Sequence, residues 1–394
     1  MSTKPSNLFT PGNFNTLKDS FEESWQDQLK HSLKSFEDFK KCINLTQSEV
    51  EGFHFGKELF NIQVTPYYFS LIDLDNAEDP IRKMIMPHKD ELSFLENSQK
   101  DPLGENINSP VQRVVHRYSD RALFLVTDTC GIYCRYCTRK HFTGHNNAFP
   151  KKSEYETALD YIRSTHSIKE VILSGGDPLT LSNARLNKIL FDLEQIDHIE
   201  LIRIGSRMPA ACPMRLDDEL LHVLKRDKPV YLMSHFNHPQ ELSNYTIDRL
   251  KHFTTSGVPI FNQMVLLNGI NNHEAIIYSL SRKLLKARVF PYYMFQCDPS
   301  PGTEHLKTTI EESLEIQKKL WGKSSGLSLP TFSVDIPSGG GKAYLTPDFI
   351  IKQTEEGTVF KGFDGVEAEY KKTKSPRKQP FIDGESLKIW SDLL

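Results

Sequence analysis

Three cysteines lie within eight residues of each other and have a spacing suited to binding iron. Cys130, Cys134 and Cys137 follow the pattern C-x3-C-x2-C. Structural zinc usually takes four ligands, typically from two cysteine pairs, and the sequence has no second pair. Three thiolates on one loop can instead bind three irons of a 4Fe–4S cluster and leave the fourth iron open. The spacing therefore predicts an iron–sulfur cluster with one reactive iron.

A short glycine-containing segment follows a run of apolar and β-branched residues. It contains Gly175, Gly176 and Asp177. Glycines at such a position let a ligand approach the backbone closely, and the exposed amide and carbonyl groups can hold an amino acid group. The alternative is that Asp177 simply caps the helix that follows. On its own the segment is weak evidence for a binding loop.

A lysine follows three consecutive glycines near the C-terminus. Lys342 comes directly after the run 339–341, and Ala343 follows it. A phosphate-binding P-loop would need Gly-x4-Gly-Lys-Ser/Thr between a strand and a helix, which this segment does not match. A neutral lysine amine can form a Schiff base with pyridoxal 5′-phosphate, which then acts as an electron sink. A flexible glycine loop with a surface lysine is the alternative interpretation.

From about residue 122, short β-branched runs alternate with amphipathic stretches, which is typical of βα units. The predicted strands are 122–128, 170–174, 200–206, 230–235, 259–266 and 289–295. The predicted helices are 154–165, 183–194, 217–225, 239–255, 273–286 and 309–320. Alternating units predict parallel strands with helices outside, so the fold class is α/β with a partial (β/α)6 barrel. Catalytic residues should then lie at the carboxyl ends of the strands, where Cys130 and Gly175 are found.

The segments on either side of the repeated units differ from them. Residues 1–110 are predicted to form a helical N-terminal cap, with helical periodicity from Phe21 to Phe39 and a Thr-x-x-Glu capping pattern starting at Thr46. Residues 111–330 are the predicted barrel core. Residues 331–370 are predicted to carry the cofactor lysine, and 371–394 to form a surface tail.

Composition and charge exclude several classes of protein. The 394 residues include 48 Lys and Arg and 51 Asp and Glu, a formal charge of −3, which excludes a strongly basic nucleic-acid binder. No apolar run reaches the roughly 20 residues of a membrane helix, and the N-terminus lacks the order of a secretory signal. Six cysteines are too few for a disulfide scaffold. We expect a soluble, cytoplasmic protein without a nucleic-acid or membrane partner.

Together these features resemble the lysine 2,3-aminomutase family, radical S-adenosylmethionine enzymes that also bind pyridoxal phosphate. The resemblance is carried by the cysteine motif, by Lys342 and by the stretches 65–68, 109–111, 116–121, 173–177, 203–207, 235–239, 291–293 and 330–332. It implies that Lys342 is the Schiff-base lysine. The other residues that the resemblance assigns to the cofactors are Arg117, Tyr118 and Arg121 for pyridoxal phosphate, and Gly175, Gly176, Asp177, His235 and Gln263 for S-adenosylmethionine.

The resemblance also implies the reaction. An electron from the cluster would cleave S-adenosylmethionine to a 5′-deoxyadenosyl radical, which removes hydrogen from the substrate. The α-amino group of L-lysine would then move to the β-carbon and give β-lysine, so the enzyme would be an isomerase. A low-potential electron donor would be a partner.

Substrate choice follows from charge at three positions that resemble family residues. Arg139 would pair with the substrate carboxylate, a task suited to a guanidinium fork. Asp298 and Asp335 would hold the side-chain ammonium, because two buried carboxylates repel each other and need a cation. This selects a basic amino acid, with L-lysine first and arginine as an alternative. Glutamate-specific relatives carry a lysine and an asparagine at these positions, so glutamate fits poorly.

The sequence departs from the family in several places. No cysteine follows Cys297, and His273 stands where a partner cysteine would be expected, so we expect a homo-oligomer without the family's zinc site. Phe295 stands where a tyrosine is common, and Ser338 where a glycine is common. Two rival functions remain. One is the branch that supplies β-lysine to a translation factor. The other is a non-catalytic iron–sulfur electron-transfer or binding protein, whose fourth ligand would be Cys212 or Cys297.

Overall fold

The computed structural model describes residues 24–56, 59–93, 95–144 and 149–391. Within these residues, nine strands form one sheet in chain order, and three more form a small second sheet. The strands of the first sheet are β1 Val114–Tyr118, β2 Arg121–Thr127, β3 Glu170–Gly175, β4 Leu201–Ser206, β5 Val230–Ser234, β6 Ile260–Leu266, β7 Phe290–Gln296, β8 Thr331–Ile336 and β9 Gly341–Tyr344. The second sheet contains β10 Ile350–Gln353, β11 Gly357–Lys361 and β12 Glu367–Lys371.

The sheet confirms the predicted α/β class and its parallel strands. The six predicted strands correspond to β2 through β7, and each boundary agrees within one residue. Strand β8 adds a seventh parallel strand, paired with β7. Strands β1 and β9 pair antiparallel with β2 and β8 at the two edges. The six predicted βα units are thus all present, and β8 is a further parallel strand that the sequence did not predict because no α-helix directly follows it to mark a βα unit.

Helices follow most of the parallel strands and cover the outside of the sheet. They are α6 Lys152–Ser164, α7 Asn183–Glu194, α8 Met208–Ala211, α9 Asp218–Leu224, α10 Asn244–Thr255, α11 Glu274–Lys286 and α12 Ile310–Leu320. In α7, Ser182 caps the first turn and Leu186, Ile189, Leu190 and Leu193 are buried, the spacing of one helix face. The predicted helix 239–255 is wrong in its first part, where a 3-10 turn precedes Ser243, the residue that caps α10.

The parallel strands bury one face and leave the other face half open. In β3, Val171 and Leu173 belong to the core beneath the helices, whereas Ile172 and Ser174 are partly exposed and line an internal cavity. The same alternation runs through β4 and β6. Since successive strand residues point to opposite faces, the apolar core lies between sheet and helices, and the barrel interior remains available for ligands.

In the part of the chain from residue 24 that the structure describes, five short α-helices precede the sheet: α1 Trp25–Lys30, α2 Phe36–Cys42, α3 Gln47–Phe55, α4 Pro66–Ser70 and α5 Pro80–Ile85. The predicted capping box at Thr46 is present at the start of α3. Residues 21–23 of the predicted helix starting at Phe21 lie outside the described residues. The guanidinium of Arg135, inside the cysteine motif, binds the buried carboxylate of Glu91 at 2.8 Å. This pair fastens the N-terminal region to the cysteine loop.

The C-terminal part is the most exposed region of the described chain. Beyond β12, the predicted surface tail contains α13 Gly384–Ser391, all of whose residues are exposed. His273, noted above as a departure from the family, caps α11 by accepting the Ala275 N–H at 3.1 Å. None of the helices that the structure describes is long and apolar enough to cross a membrane.

Candidate active site

One cavity of about 640 Å³ lies inside the barrel, and its lining runs from Glu170 at the start of β3 to Asp177 in the loop after that strand. All fifteen residues that the sequence assigned to a site line this cavity. They are Arg117, Tyr118, Arg121, Cys130, Cys134, Cys137, Arg139, Gly175, Gly176, Asp177, His235, Gln263, Asp298, Asp335 and Lys342. The structure therefore brings the predicted residues together, while the role of each remains a prediction.

The three motif cysteines lie on the loop after β2 and face the cavity. Burial raises the pKa of each thiol, and for Cys130 the thiols of Cys137 and Cys134 raise it further. Within the described residues, no three His, Cys, Asp or Glu side chains surround a position for a single metal ion. A 4Fe–4S cluster attaches each thiolate to a different iron. Three half-buried thiols that line the same cavity are a donor set that fits such a cluster.

The glycine segment packs directly against the chain that leads into the cysteine loop. Gly175 has φ 109°, and a Cβ on Gly176 would lie 2.3 Å from the Thr129 carbonyl oxygen. The Gly176 N–H donates to the Thr127 carbonyl at 2.6 Å. Glycine is required at both positions because of this close approach. The two glycines noted in the sequence are thus required by backbone packing, and their role in binding a ligand remains a prediction.

The Asp177 carboxylate is occupied by protein donors. One oxygen accepts from the Leu179 N–H at 3.0 Å and the Ser206 hydroxyl at 2.7 Å. The other accepts from the backbone N–H groups of Arg207 and Met208 at 2.7 and 3.0 Å. Asp177 therefore fastens the loops after β3 and β4 to each other at the cavity wall, and its direct contact with a cofactor remains a prediction.

His235 and Gln263 approach the cavity from neighbouring strands. The His235 ring stacks on Tyr136 with centroids 5.7 Å apart, and its Nε2 lies 3.1 Å from the Tyr136 hydroxyl. Burial, assisted by Arg207, holds the His235 pKa well below its ordinary value, so the ring is neutral. Gln263 faces the cavity, whereas Asn262 points away and bonds both backbone groups of Phe236 at 2.8 and 3.0 Å.

Lys342 lies on β9, opposite Asp335 on β8. Its ammonium nitrogen is 3.0 Å from Asp335 Oδ1, and its backbone N–H donates to the Tyr118 hydroxyl at 3.1 Å. The ammonium is 5.2 Å from the centre of the Phe295 ring. Burial and, after it, the charge of Asp335 raise the pKa of Asp298 from 3.8 to about 7, and Lys342 opposes that shift. Two carboxylates and one amine therefore share this part of the cavity.

The cavity also has an arginine-rich wall. The Arg117 Nε donates to the Gly339 carbonyl at 2.5 Å, and the Arg121 guanidinium lies 3.9 Å from the centre of the Tyr118 ring. Arg203 forms an ion pair with Glu170, but its buried Nε has no hydrogen-bond partner among the described residues. An unsatisfied buried donor in a cavity that Arg117 and Arg121 also line fits a phosphate group, which accepts several charge-assisted hydrogen bonds. Arg203 was not among the predicted site residues, although it lies in one of the stretches that carry the resemblance.

Arg139 has two partners that the sequence analysis missed. Its Nε lies 2.9 and 3.0 Å from the two carboxylate oxygens of Glu105, and its Nη2 lies 2.6 Å from Glu105 Oε1. Its Nη1 donates to the Ser174 hydroxyl at 3.0 Å. Burial acts to lower the pKa of Arg139, but the Glu105 carboxylate and, after it, Cys137 and Cys130 raise it, and the net shift is upward. No periodic pattern connects Glu105 with Arg139, so spacing could not have found it.

Two sequence families match parts of the chain. The model described as Lysine-2,3-aminomutase matches residues 317–389, and that of the Radical SAM superfamily matches residues 124–278. An L-lysine 2,3-aminomutase from Fusobacterium nucleatum is 40% identical over 95% of this chain and 89% of that protein. One from Bacillus subtilis is 41% identical over 90% of this chain and 76% of that protein. A glutamate 2,3-aminomutase from Clostridioides difficile is 37% identical over 89% of this chain and 86% of that protein.

Proposed function

The chain belongs to the lysine 2,3-aminomutase family of radical S-adenosylmethionine enzymes, and we propose that it converts L-lysine into β-lysine. It is an isomerase, and its family uses a 4Fe–4S cluster, S-adenosylmethionine and pyridoxal phosphate. When bound, the first two supply a 5′-deoxyadenosyl radical that removes hydrogen, and pyridoxal phosphate supplies a carbonyl group that binds the substrate amine. The remaining work falls to residues of this chain.

The motif cysteines would bind three irons and leave the fourth open. Cys130, Cys134 and Cys137 line the cavity, whereas Cys212 and Cys297 are buried and do not line it. Neither of these two is therefore placed to supply a fourth thiolate. This arrangement favours the mutase over an electron-transfer protein, which would need four protein ligands.

The observation that carries the choice of substrate is the pair of carboxylates around an amine. Asp335 contacts the Lys342 ammonium at 3.0 Å, and Asp298 is held close enough to Asp335 for its pKa to rise. In the structure, the Lys342 ammonium provides the positive charge that the carboxylates of Asp298 and Asp335 need. The side-chain ammonium of a bound L-lysine would provide the same charge, whereas the carboxylate of a glutamate side chain would be repelled.

Arg139 would hold the other end of the substrate. It lines the same cavity as the two aspartates, so one amino acid could meet a cation at its carboxylate and anions at its side chain. Lys342 would bind pyridoxal phosphate, with Arg117, Arg121 and Arg203 near its phosphate group. Gly175, Gly176, His235 and Gln263 would line the S-adenosylmethionine site.

We also propose an electron donor, a cellular compartment and an oligomeric state for the enzyme. The enzyme would take its electron from a low-potential donor in the cytoplasm, where its six free cysteines stay reduced. It would form a homo-oligomer. The family's zinc site would be absent from it, because the sequence has no cysteine after Cys297.

A substrate panel tests the proposal. The protein is reconstituted with iron and sulfide without oxygen, loaded with pyridoxal phosphate, reduced and incubated with S-adenosylmethionine. L-Lysine, L-arginine, L-ornithine and L-glutamate are supplied separately, and β-isomers are detected by mass spectrometry. We expect β-lysine as the main product and none with Cys134→Ala. A preference for arginine would contradict the substrate assignment. S-Adenosylmethionine cleavage without any β-isomer would contradict the reaction.

A further inference from the structure

Glu105 and Arg139 form a well-defined ion pair at the cavity wall. The Glu105 carboxylate receives the Nε–H and one Nη2–H of Arg139 at distances of 2.6 to 3.0 Å. The side chains of Glu105 and Arg139 are 10% and 18% exposed, so the pair is mostly shielded from water. Such a bidentate, charge-assisted contact fixes the plane of the guanidinium as well as its position.

The remaining donors of Arg139 can be counted. A guanidinium has five N–H groups, one on Nε and two on each terminal nitrogen. Glu105 takes the Nε–H and one on Nη2, and Ser174 takes one on Nη1. Each terminal nitrogen thus keeps one N–H that no hydrogen bond within the described residues uses. Since Arg139 lines the cavity, these two donors can receive a carboxylate.

We propose that Glu105 is a positioning residue for substrate binding: it holds the guanidinium of Arg139 so that one N–H on each terminal nitrogen receives the substrate carboxylate. The inference rests on the proposed function, in which Arg139 binds that carboxylate. Glu105 itself does not touch the substrate. Without it, Arg139 loses the contacts that fix its orientation and keeps the bond to Ser174.

The backbone around Glu105 supports a fixed role. Its N–H donates to Asp101 Oδ1 at 2.8 Å, and its carbonyl accepts from the Ser109 hydroxyl at 2.7 Å. The preceding Gly104, at φ 62°, lies so close to Gly339 that a Cβ would come within 2.7 Å of the Gly339 Cα. The carboxylate therefore comes from a turn that is held at several points.

The same turn reaches the segment that carries the cofactor lysine. The Ser338 N–H donates to the Pro102 carbonyl at 3.0 Å. The turn at 101–109 thus contacts the glycine run before Lys342 on one side and Arg139 on the other. Glu105 is well placed to set the distance between the substrate carboxylate and the lysine that carries the cofactor.

The test compares two ligands that differ in the carboxylate. L-Lysine has it, whereas 1,5-diaminopentane keeps both amines and lacks it. Each is titrated into protein loaded with pyridoxal phosphate in the absence of a reductant, and binding is read from the change in visible absorption of the cofactor. We expect Glu105→Gln to weaken L-lysine binding about tenfold, the size of a lost charge-assisted contact, and to leave 1,5-diaminopentane binding unchanged.

Three other variants make the result specific. Glu156→Gln, the same change on the exposed face of α6, should leave both ligands unaffected. Glu105→Asp keeps the charge but shortens the side chain, so it should also weaken L-lysine if position matters. In the double variant Glu105→Gln/Arg139→Lys, L-lysine should bind no more weakly than in Arg139→Lys alone, because both changes remove one interaction.

The outcomes separate this inference from the proposed function. Equal weakening of both ligands by Glu105→Gln would overturn the positioning role, as would tighter L-lysine binding, which would make Glu105 a competitor for Arg139. If Arg139→Lys weakens L-lysine and neither Glu105 variant does, the positioning role alone fails. If Arg139→Lys itself leaves L-lysine binding intact, the proposed carboxylate site fails first. Should Glu105→Gln not fold, the Glu105→Asp arm decides.

Discussion

Lys342 and Asp335 face each other across one rung of the antiparallel β8 and β9 ladder, with Nζ 3.0 Å from Oδ1. The pairing register therefore places Lys342, the lysine proposed to bind the cofactor, beside the Asp335 carboxylate without any loop rearrangement. At the same residue, the backbone N–H of Lys342 donates to the Tyr118 hydroxyl on β1, at the opposite edge of the sheet. This contact joins the two edge strands across the cavity.

Lys342→Ala should abolish retention of pyridoxal phosphate and leave the iron–sulfur cluster intact. In the proposed function its amine binds the cofactor carbonyl, whereas the cysteines lie on a separate loop. Visible absorption of the cofactor and iron content, measured on the same sample, check both expectations. Lys352→Ala on the exposed strand β10 is the matched control. Full cofactor retention by Lys342→Ala would show that another lysine carries it.

Asp335→Asn should weaken L-lysine binding and leave cofactor loading largely unchanged. Removing one partner from a shielded, charge-assisted contact costs about 1.5–3 kcal/mol, which corresponds to roughly a 10- to 150-fold loss of affinity. Titration of the cofactor absorption with L-lysine measures the loss. Asp160→Asn, on the exposed face of α6, controls for the change of charge. Unchanged L-lysine binding would contradict the assignment of a basic substrate.

Substrate binding should depend on pH through Asp298. Burial, together with Asp335, raises the pKa of this carboxyl from its ordinary 3.8 to about 7. The folded protein thus binds this proton more tightly than the unfolded chain, and Asp298 makes the fold less stable as pH rises from 3.8 to about 7. The ammonium of L-lysine needs the ionised form. Its affinity should therefore rise with pH, by about tenfold per unit at most, and level off above a pH of about 7.

Asp298→Asn is the variant that tests this dependence. With no carboxyl to titrate, L-lysine should bind more weakly and with a flat profile across the same pH range. The profile of 1,5-diaminopentane should follow that of L-lysine in the parent protein, because both ligands present the same ammonium. A slope that persists in Asp298→Asn would assign the titration to another group.

Local sequence patterns were sufficient to predict the central strands and were not sufficient at the edges. Strands β2 to β7 are runs of β-branched and apolar residues, each followed by an amphipathic helix, so their boundaries follow from periodicity. Strand β1 ends in His116, Arg117 and Tyr118, and β9 begins with Gly341 and Lys342. Each pairs with the strand next to it in the chain, β1 with β2 and β9 with β8. Their polar side chains serve the cavity, so neither strand has the pattern of a buried strand.

The site residues also fall into two groups, those that local sequence patterns predict and those that they do not. The cysteine motif and the glycine run can be recognised from spacing, because each reflects a local constraint on the backbone or on ligand geometry. The assignments of Arg139, Asp298 and Asp335 came from resemblance to a family. Glu105 was missed because its relation to Arg139 is made by folding alone, across a turn that binds Ser338 on its other side. A charged residue in a turn-rich segment has no sequence signal that separates it from a solvated one.

The final prediction concerns the open iron. Cys137→Ala should lose the cluster, because it removes one of three thiolates that line the cavity. Cys297→Ala and Cys212→Ala should keep full iron content, since both thiols are buried elsewhere and burial raises the pKa of each to about 12. Iron analysis and 5′-deoxyadenosine formation, normalised to folded protein, measure the difference. Normalisation matters because deleting a buried group also lowers stability.

Electron paramagnetic resonance of the reduced cluster completes this test. If one iron has no protein ligand, S-adenosylmethionine should bind there and change the spectrum of the parent protein, Cys297→Ala and Cys212→Ala alike. A cluster with four thiolates would give the same spectrum with and without S-adenosylmethionine. Loss of iron in Cys297→Ala or Cys212→Ala would identify that residue as the fourth ligand. The chain would then lack the vacant iron on which radical formation depends.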